Sequence, residues 1–439
     1  MNSDIFFSKT FLINLLIIFI PFSFIAGNLI LNLNILLLIF FGLFFHGFEI
    51  FRNNLSKIDK IIIILFIYIV ANGVFNNFFN FNFSEYENKN IILIKSLLFS
   101  RFLILYFVLK FLIRKNLINY KLLFFSFGFS VLFVSIDIII QYYFDKDMFG
   151  FEGVDRRLSG PFGDELIAGS FIQRFFIFIP FSLYFFLKPD RKFSIQIAFL
   201  FTLIICIFAA FLAGNRIPLV LLFFTLGMIF FYQHLFRVVL LLMLIISIGC
   251  FSYLTKKDGQ LLAHYKGFMM KSFQVIDYLK IRITDGEVKF TPNVYTKEIE
   301  TGILTWQQNK LFGGGIKSFY YNCTNIKNST MDKTGGTNCN THPHNYYLEV
   351  ASILGIFGLL IITIMFSMIF VKSIKKIHFS ENLNYNKNFL IPFFLIFIIE
   401  IFPFKTTGSF FTTSNSTFLF IIISFIVGLL EFKKKLTYE

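Results

Sequence analysis

The sequence predicts an all-α integral membrane protein, with about twelve transmembrane helices and a large, partly helical periplasmic loop between the ninth and tenth. Three observations predict it. The 439 residues are 56% hydrophobic and 20% aromatic, with 70 Phe, only 15% charged and a mean hydropathy of +0.73, a composition no soluble domain of this size tolerates. Apolar runs of the roughly 20 residues that a helix needs to cross a bilayer recur from Phe11 almost to the end. Lys and Arg, finally, concentrate in alternate loops between those runs.

The spans fall at roughly 10–27, 29–47, 60–79, 91–113, 121–142, 166–187, 193–213, 217–236, 237–254, 346–371, 389–404 and 416–431. The first run has no small-residue cleavage site before the next span, so it is expected to stay as the first helix. With that helix starting inside, the inside loops hold nineteen cations, from Lys9 and Arg52 to Lys433, Lys434 and Lys435. The short outside segments hold six: Lys89, Lys146, Arg156, Arg157, Arg216 and Lys405. This asymmetry puts both termini on the cytoplasmic side of an inner membrane. The net charge of +15 is then a topology signal rather than a nucleic-acid face, and the expected surroundings are membrane lipids. Three parts follow: helices one to nine over 1–254, a periplasmic loop subdomain over 255–345, and helices ten to twelve with a cytoplasmic tail over 346–439.

Three polar stretches share the outer face: Asp145 to Glu165, the turn Gly214-Asn215-Arg216, and the long loop from about Lys256 to His344. Cys206 and Cys250 sit in apolar spans as small buried hydrophobes. Cys323 and Cys339 lie in the long loop, where an oxidising compartment favours a disulfide that tethers the segment before His342.

The strongest local signal closes that loop: Thr341-His342-Pro343-His344-Asn345-Tyr346-Tyr347-Leu348-Glu349, followed by Gly355 and Gly358 in an apolar run. Pro343 disfavours helix at His342, so the helix is expected to start near His344 or Asn345, with Asn345 and Glu349 on one face. A cap within an interfacial aromatic belt is the plain alternative. A His-x-His metal site is another, but no further ligand lies nearby in sequence. Arg216 opens its span either as a snorkelling side chain or as a phosphate clamp. Arg157-Leu158-Ser159-Gly160-Pro161-Phe162-Gly163 reads as a tight turn near a ligand or a plain re-entry turn. Arg174, with Lys95, Arg101, Asp137 and Glu400, is ionisable at membrane depth, and together they imply an interior polar chamber. The stretch Trp306 to Gly315 lacks the spacing of a phosphate-binding loop and reads as a glycine hinge. Asp145-Lys146-Asp147 reads as a solvated loop start.

In this order the elements resemble the O-antigen ligase and O-antigen polymerase superfamily. The Arg157 turn, Gly214-Asn215-Arg216, Trp306 to Gly315 and the His344-Asn345…Gly355…Gly358 spacing carry the resemblance. It implies a membrane glycosyltransferase of GT-C type, working at the periplasmic face without metal or cofactor. The implied donor is a glycan on undecaprenyl pyrophosphate. The implied acceptor is lipid A-core for a ligase, or another lipid-linked glycan for a polymerase. His344 would act as general base, oriented by Glu349 or Asn345, while Arg216 would stabilise the leaving pyrophosphate. Arg157, Arg174, His342 and Asn345 would bind substrate. The family's second arginine, shortly before the tryptophan, is missing: Thr301 to Thr305 precede Trp306, leaving Lys297, Arg282 or Arg157 as substitutes. A transporter or flippase would show two similar halves with interrupted helices, whereas a single large loop divides this chain unequally.

Overall fold

The structure is a computed structural model that describes residues 9–52, 54–79, 90–153, 157–186, 191–257, 259–283, 293–327, 339–379, 384–405 and 408–432. Lys89, Arg156, Lys188, Lys433 to Lys435 and the side chains of Arg282 and Lys387 lie outside the described residues. In chain order the α-helices are α1 (Lys9–Ile18), α2 (Ile20–Ile25), α3 (Asn28–His46), α4 (Lys57–Phe79), α5 (Ile91–Phe99), α6 (Arg101–Arg114), α7 (Tyr120–Phe144), α8 (Ala168–Phe175), α9 (Phe178–Phe186), α10 (Lys192–Leu212), α11 (Arg216–Tyr232), α12 (Arg237–Lys257), α13 (Gly259–Ile283), α14 (Val294–Gln308), α15 (Ser318–Lys327), α16 (Tyr346–Phe379), α17 (Asn384–Glu400) and α18 (Thr413–Glu431).

Every apolar run expected to span is helical, but the helices are not equally long. Among the described residues, eight are long and apolar enough to cross a membrane, or nine if α8 and α9, bent by 48°, form one broken span. The other three expected spans contain the shorter apolar helices Lys9–Ile18, Arg216–Tyr232 and Asn388–Glu400. The bend follows from Pro180, which cannot donate to the carbonyl of Phe176. Ile179 N bonds that carbonyl instead, at 3.0 Å.

Burial orders the bundle. The apolar stretch of α18 is 83% buried, against 33% for that beginning at α3 and 29% for that of α12, so α18 is the central post. Its phenylalanines interlock with its neighbours: Phe420 stacks on Phe102 of α6 (5.9 Å, 11°) and Phe425 on Phe393 of α17 (4.4 Å, 9°). Between helices in lipid there is little hydrophobic driving force, so this van der Waals fit carries the association. At one end of the bundle Lys110 joins Asp59 (2.5 Å) and Glu431 (2.9 Å), and Tyr106 donates to Asp59. The pair closes α4, α6 and α18 together without an unpaired buried charge.

At the opposite end the stretch Trp306 to Gly315 is not a free hinge. It is spliced into a break in α16. Gly355 stands at φ +66, which only glycine adopts without strain, and the turn frees backbone groups on both sides. Gly314 N and Gly315 N donate to the carbonyls of Ser352 (3.1 Å) and Ile353 (2.8 Å), and Ile356 N donates to the carbonyl of Lys310 (2.9 Å). The backbones approach so closely that a Cβ on Gly313 would lie 2.4 Å from Ile353 and one on Gly355 2.2 Å from the Leu311 carbonyl. From α4, Asn72 and Asn76 donate to the Phe312 and Gly313 carbonyls, and Tyr68 to that of Leu354. The two glycine motifs, 40 residues apart, therefore form one joint.

Candidate functional site

Above this joint a cavity of about 1120 Å³ opens among the ends of α5, α6, α8, α14, α16 and α18. The three polar stretches expected on one outer face all contribute to its wall, through Arg157 and Glu165, through Asn215, and through Glu298, Lys317, His342 and His344. Asn215 explains part of the convergence. Its Oδ1 accepts from Gly169 N (2.9 Å) and its Nδ2 donates to the carbonyl of Leu166 (3.0 Å), tying the approach to α8 to the α10–α11 turn. A Cβ at Gly169 would lie 2.7 Å from Asn215.

The wall is cationic. Lys95, Arg101, Arg157, Arg174, Lys317 and Lys405 face the cavity, against Glu165, Glu298 and Glu349. Arg174 and Lys405 share one carboxylate. Arg174 Nε and Nη2 donate to Glu400 (2.9 and 3.2 Å), Nη2 also to Asn415 (2.5 Å), and Lys405 Nζ to Glu400 (2.6 Å). Two buried cations on one anion leave a positive charge beside the cavity, held in place by the hydrogen bonds that make such burial tolerable. Burial pulls the Lys405 ammonium down to about 8, with Glu400 opposing. Arg101 donates to Thr413 (3.1 Å) and lies over Phe102.

The histidine element has a specific shape. His344 sits at φ +50, a left-handed conformation rare for a residue with a side chain. Asn345 then caps α16, its Oδ1 accepting from Tyr347 N (3.0 Å) and Leu348 N (3.1 Å) while its Nδ2 donates to the Pro403 carbonyl (2.7 Å). The helix thus begins after Asn345 rather than at His344. The His342 and His344 rings lie 4.3 Å apart, and His342 Nδ1 is 2.9 Å from the Thr341 hydroxyl. Burial, then His344 and Lys317, push the His342 imidazole down to about 4, so it is neutral at neutral pH. Cys323 and Cys339 form a disulfide with Cα atoms 5.5 Å apart, which anchors the segment leading into this turn.

The two residues expected to orient His344 make other bonds. Asn345 is occupied as the cap, and Glu349 accepts from the Ser409 hydroxyl and from Phe410 N (2.5 Å), so it holds the α17–α18 loop. The carboxylate that faces His344 is Glu298 of α14, at 3.9 Å. Asn340 lies between them, donating to Glu298 (2.8 Å) and 3.5 Å from His344 Nε2. Gly302, one turn further along α14, lets that helix press against Pro343, where a Cβ would meet it at 3.2 Å.

With this geometry in view, the O-antigen ligase family model matches residues 201–363. The match over this segment supports the resemblance to the O-antigen ligase and polymerase superfamily. No curated protein matches the chain. The matched segment holds Asn215, Arg216, Glu298, Lys317, His342, His344 and Glu349, whereas Arg157, Arg174 and Lys405 reach the same cavity from outside it.

Of the residues expected from sequence, the structure brings Arg157, Arg174, His342, His344 and Glu349 to one cavity. Arg216 follows Asn215 at its edge, with its guanidinium 5.7 Å from the Phe268 ring of α13. Lys95 and Arg101 line the chamber and Glu400 buttresses it, but Asp137 accepts from Met148 N (2.8 Å) in the loop after α7. Asp147 folds that same loop by accepting from Phe149 N and Phe151 N. Among the candidates for the missing arginine, Arg157 lines the cavity, while the Arg282 side chain lies outside the described residues. Sequence reasoning missed Glu298 and Lys317. A signal for Glu298 was present: Glu298, Thr301, Gly302 and Thr305 recur at helical spacing, and all four are buried, a polar stripe turned inward.

Proposed function

We propose that the protein is an O-antigen ligase. It transfers a glycan from undecaprenyl pyrophosphate to lipid A-core at the periplasmic face of the inner membrane, with twelve spans and both termini cytoplasmic. The observation that carries this reading is a histidine in strained backbone on the wall of a cation-rich cavity, within the segment that matches the family model.

The chemistry suits those residues. A sugar hydroxyl is a weak nucleophile, and His344 takes its proton as the oxygen attacks the anomeric carbon. The leaving pyrophosphate gains negative charge, which Arg174, Lys405, Lys317 and Arg157 offset from the cavity wall, and Arg216 from its edge. Fixed cations in a low-dielectric site act without reorganising, and direct displacement inverts the anomeric centre. Residues 1–254 and 346–439 supply the membrane scaffold, and 255–345 the periplasmic loop subdomain that carries Glu298 and the histidines.

The test is a deletion strain profiled for lipopolysaccharide on gels and complemented with His344→Ala. Loss of all long glycan with accumulation of lipid-linked polymer supports a ligase. Core capped by a single repeat would instead identify a polymerase joining lipid-linked units. Wild-type-like glycan from the His344→Ala protein would overturn the catalytic role of the histidine.

A further inference from the structure

We infer that the end of the bundle opposite the histidine cavity holds an anionic phospholipid of the inner leaflet, its phosphate on Lys372, Lys375 and Lys376 and its chains on an apolar floor. The choice of leaflet rests on the cytoplasmic placement of both termini proposed above, whereas the crevice itself does not. That crevice, of about 840 Å³, opens between the start of α4 and the last turns of α16 and α18. Ile58 and Val427, each 1% exposed, form its floor with Leu430, and Phe379, 78% exposed, stands at its rim. The lysines supply the charged part of the wall. Apolar floor and cationic wall together match a molecule that carries a charged head on a hydrocarbon tail.

The charge of the crevice is uncompensated. Lys375 and Lys376 lie three and four residues beyond Lys372 on α16, so the three share one helical face, where like charges repel. Among the described residues none of the three is in an ion pair. The carboxylate on the wall, Glu431, is engaged by Lys110 (2.9 Å) and Arg114 (3.3 Å), and Asp59 by Lys110 and Tyr106. The Ser56 hydroxyl accepts from Asp59 N (3.2 Å), which leaves its own proton to donate to a ligand oxygen. A topology signal accounts for lysines at this end of the helix, but it needs neither a crevice nor a convergent wall. A basic pocket between membrane helices on the cytoplasmic side suits a lipid phosphate, because the negative leaflet supplies anionic lipid at close range. A free phosphate would use the lysines and leave the floor wet. A zwitterionic lipid would bring its own ammonium against them. An anionic phospholipid satisfies both surfaces and braces the far end of α16, the helix that begins after the His344 turn, against α4 and α18.

The test titrates the full chain, in a neutral detergent, with phosphatidylglycerol, phosphatidylethanolamine and glycerol phosphate, read by native mass spectrometry and thermal melting. Phosphatidylglycerol is expected to bind and raise the Tm, and the other two are not. Each lysine contributes about 5-fold to affinity, so the triple variant Lys372→Gln, Lys375→Gln, Lys376→Gln binds on the order of 100-fold more weakly. Its lipid-free melting stays close to wild type, and the corresponding triple Lys→Arg variant keeps the lipid, which separates loss of charge from loss of fold. The control Lys9→Gln, Lys121→Gln, Lys192→Gln removes the same charge from other inside loops and binds like wild type. Equal binding of phosphatidylethanolamine or of glycerol phosphate, or a Gln variant that binds phosphatidylglycerol like wild type, would overturn the inference. Green fluorescent protein on the C-terminus of the full chain reports the side. Fluorescence supports the inner leaflet, whereas a dark fusion that still binds phosphatidylglycerol leaves the site standing and overturns the cytoplasmic placement.

Discussion

Replacing Gly355 by alanine tests the joint on which the site rests. The φ of +66 costs an L-residue about 1–2 kcal/mol. The new Cβ would lie 2.2 Å from the Leu311 carbonyl oxygen and 2.6 Å from Phe312 N, so the strands of the joint must separate. That loosens the bonds from Gly314 N, Gly315 N and Ile356 N, each contributing about 1 kcal/mol. The combined loss is about 4 kcal/mol. With an unfolding entropy of about 2.1 cal/mol/K per residue, the full chain responds with a Tm lower by roughly 4 °C. Fluorescence-detected melting in detergent measures it, with Gly227→Ala as control, because a Cβ there meets nothing within 4 Å. Transfer should fall as well, since the joint lies in the helix that follows the His344 turn. A Gly355→Ala protein that melts and transfers like wild type would refute the account of the joint.

Three other outcomes follow from the geometry. Asn215→Ala removes both bonds between the α8 approach and the α10–α11 turn, so melting should show a loss of about 1–3 kcal/mol and transfer should drop without loss of membrane insertion. Cys339→Ser, or reduction of the wild type, frees a loop whose ends are 16 residues apart at a cost of about 3 kcal/mol, and donor turnover should fall with it. The His342 value near 4 lies below its ordinary 6.5, so the unfolded chain takes up the proton first as pH falls. Stability is therefore lost from about pH 6.5 down to 4, on the order of 2 kcal/mol, and His342→Asn should flatten melting temperature across that window.

Much of the scaffold was legible because in lipid composition and helix formation are tied together. A long apolar run must satisfy its own backbone, and the only local way is a helix. Every expected span is helical for that reason. What the runs could not convey is how much of each helix is needed: α11 and α17 are short, and α8–α9 bends at Pro180. The histidine element was legible because Pro343, Asn345, Gly355 and Gly358 each restrict the backbone locally. Glu298 and Lys317 were not singled out, because their importance lies in what stands opposite them: His344, 46 residues from Glu298, and His342, 25 residues from Lys317.

By itself the sequence determined a helical membrane protein, an interior polar chamber expected from Lys95, Arg101, Asp137, Arg174 and Glu400, of which Asp137 instead folds a loop, and a histidine turn at the head of an apolar helix. Those follow from burial cost and backbone restriction, which act within a few residues. Only the tertiary structure decided that the Trp306 to Gly315 stretch fills the break in α16, that Glu349 holds a loop, and that Glu298 is the carboxylate facing His344. Carboxylates are alike in sequence. Which one meets an imidazole depends on how closely two backbones can approach, and here Gly302 and the Cys323–Cys339 bridge set that distance.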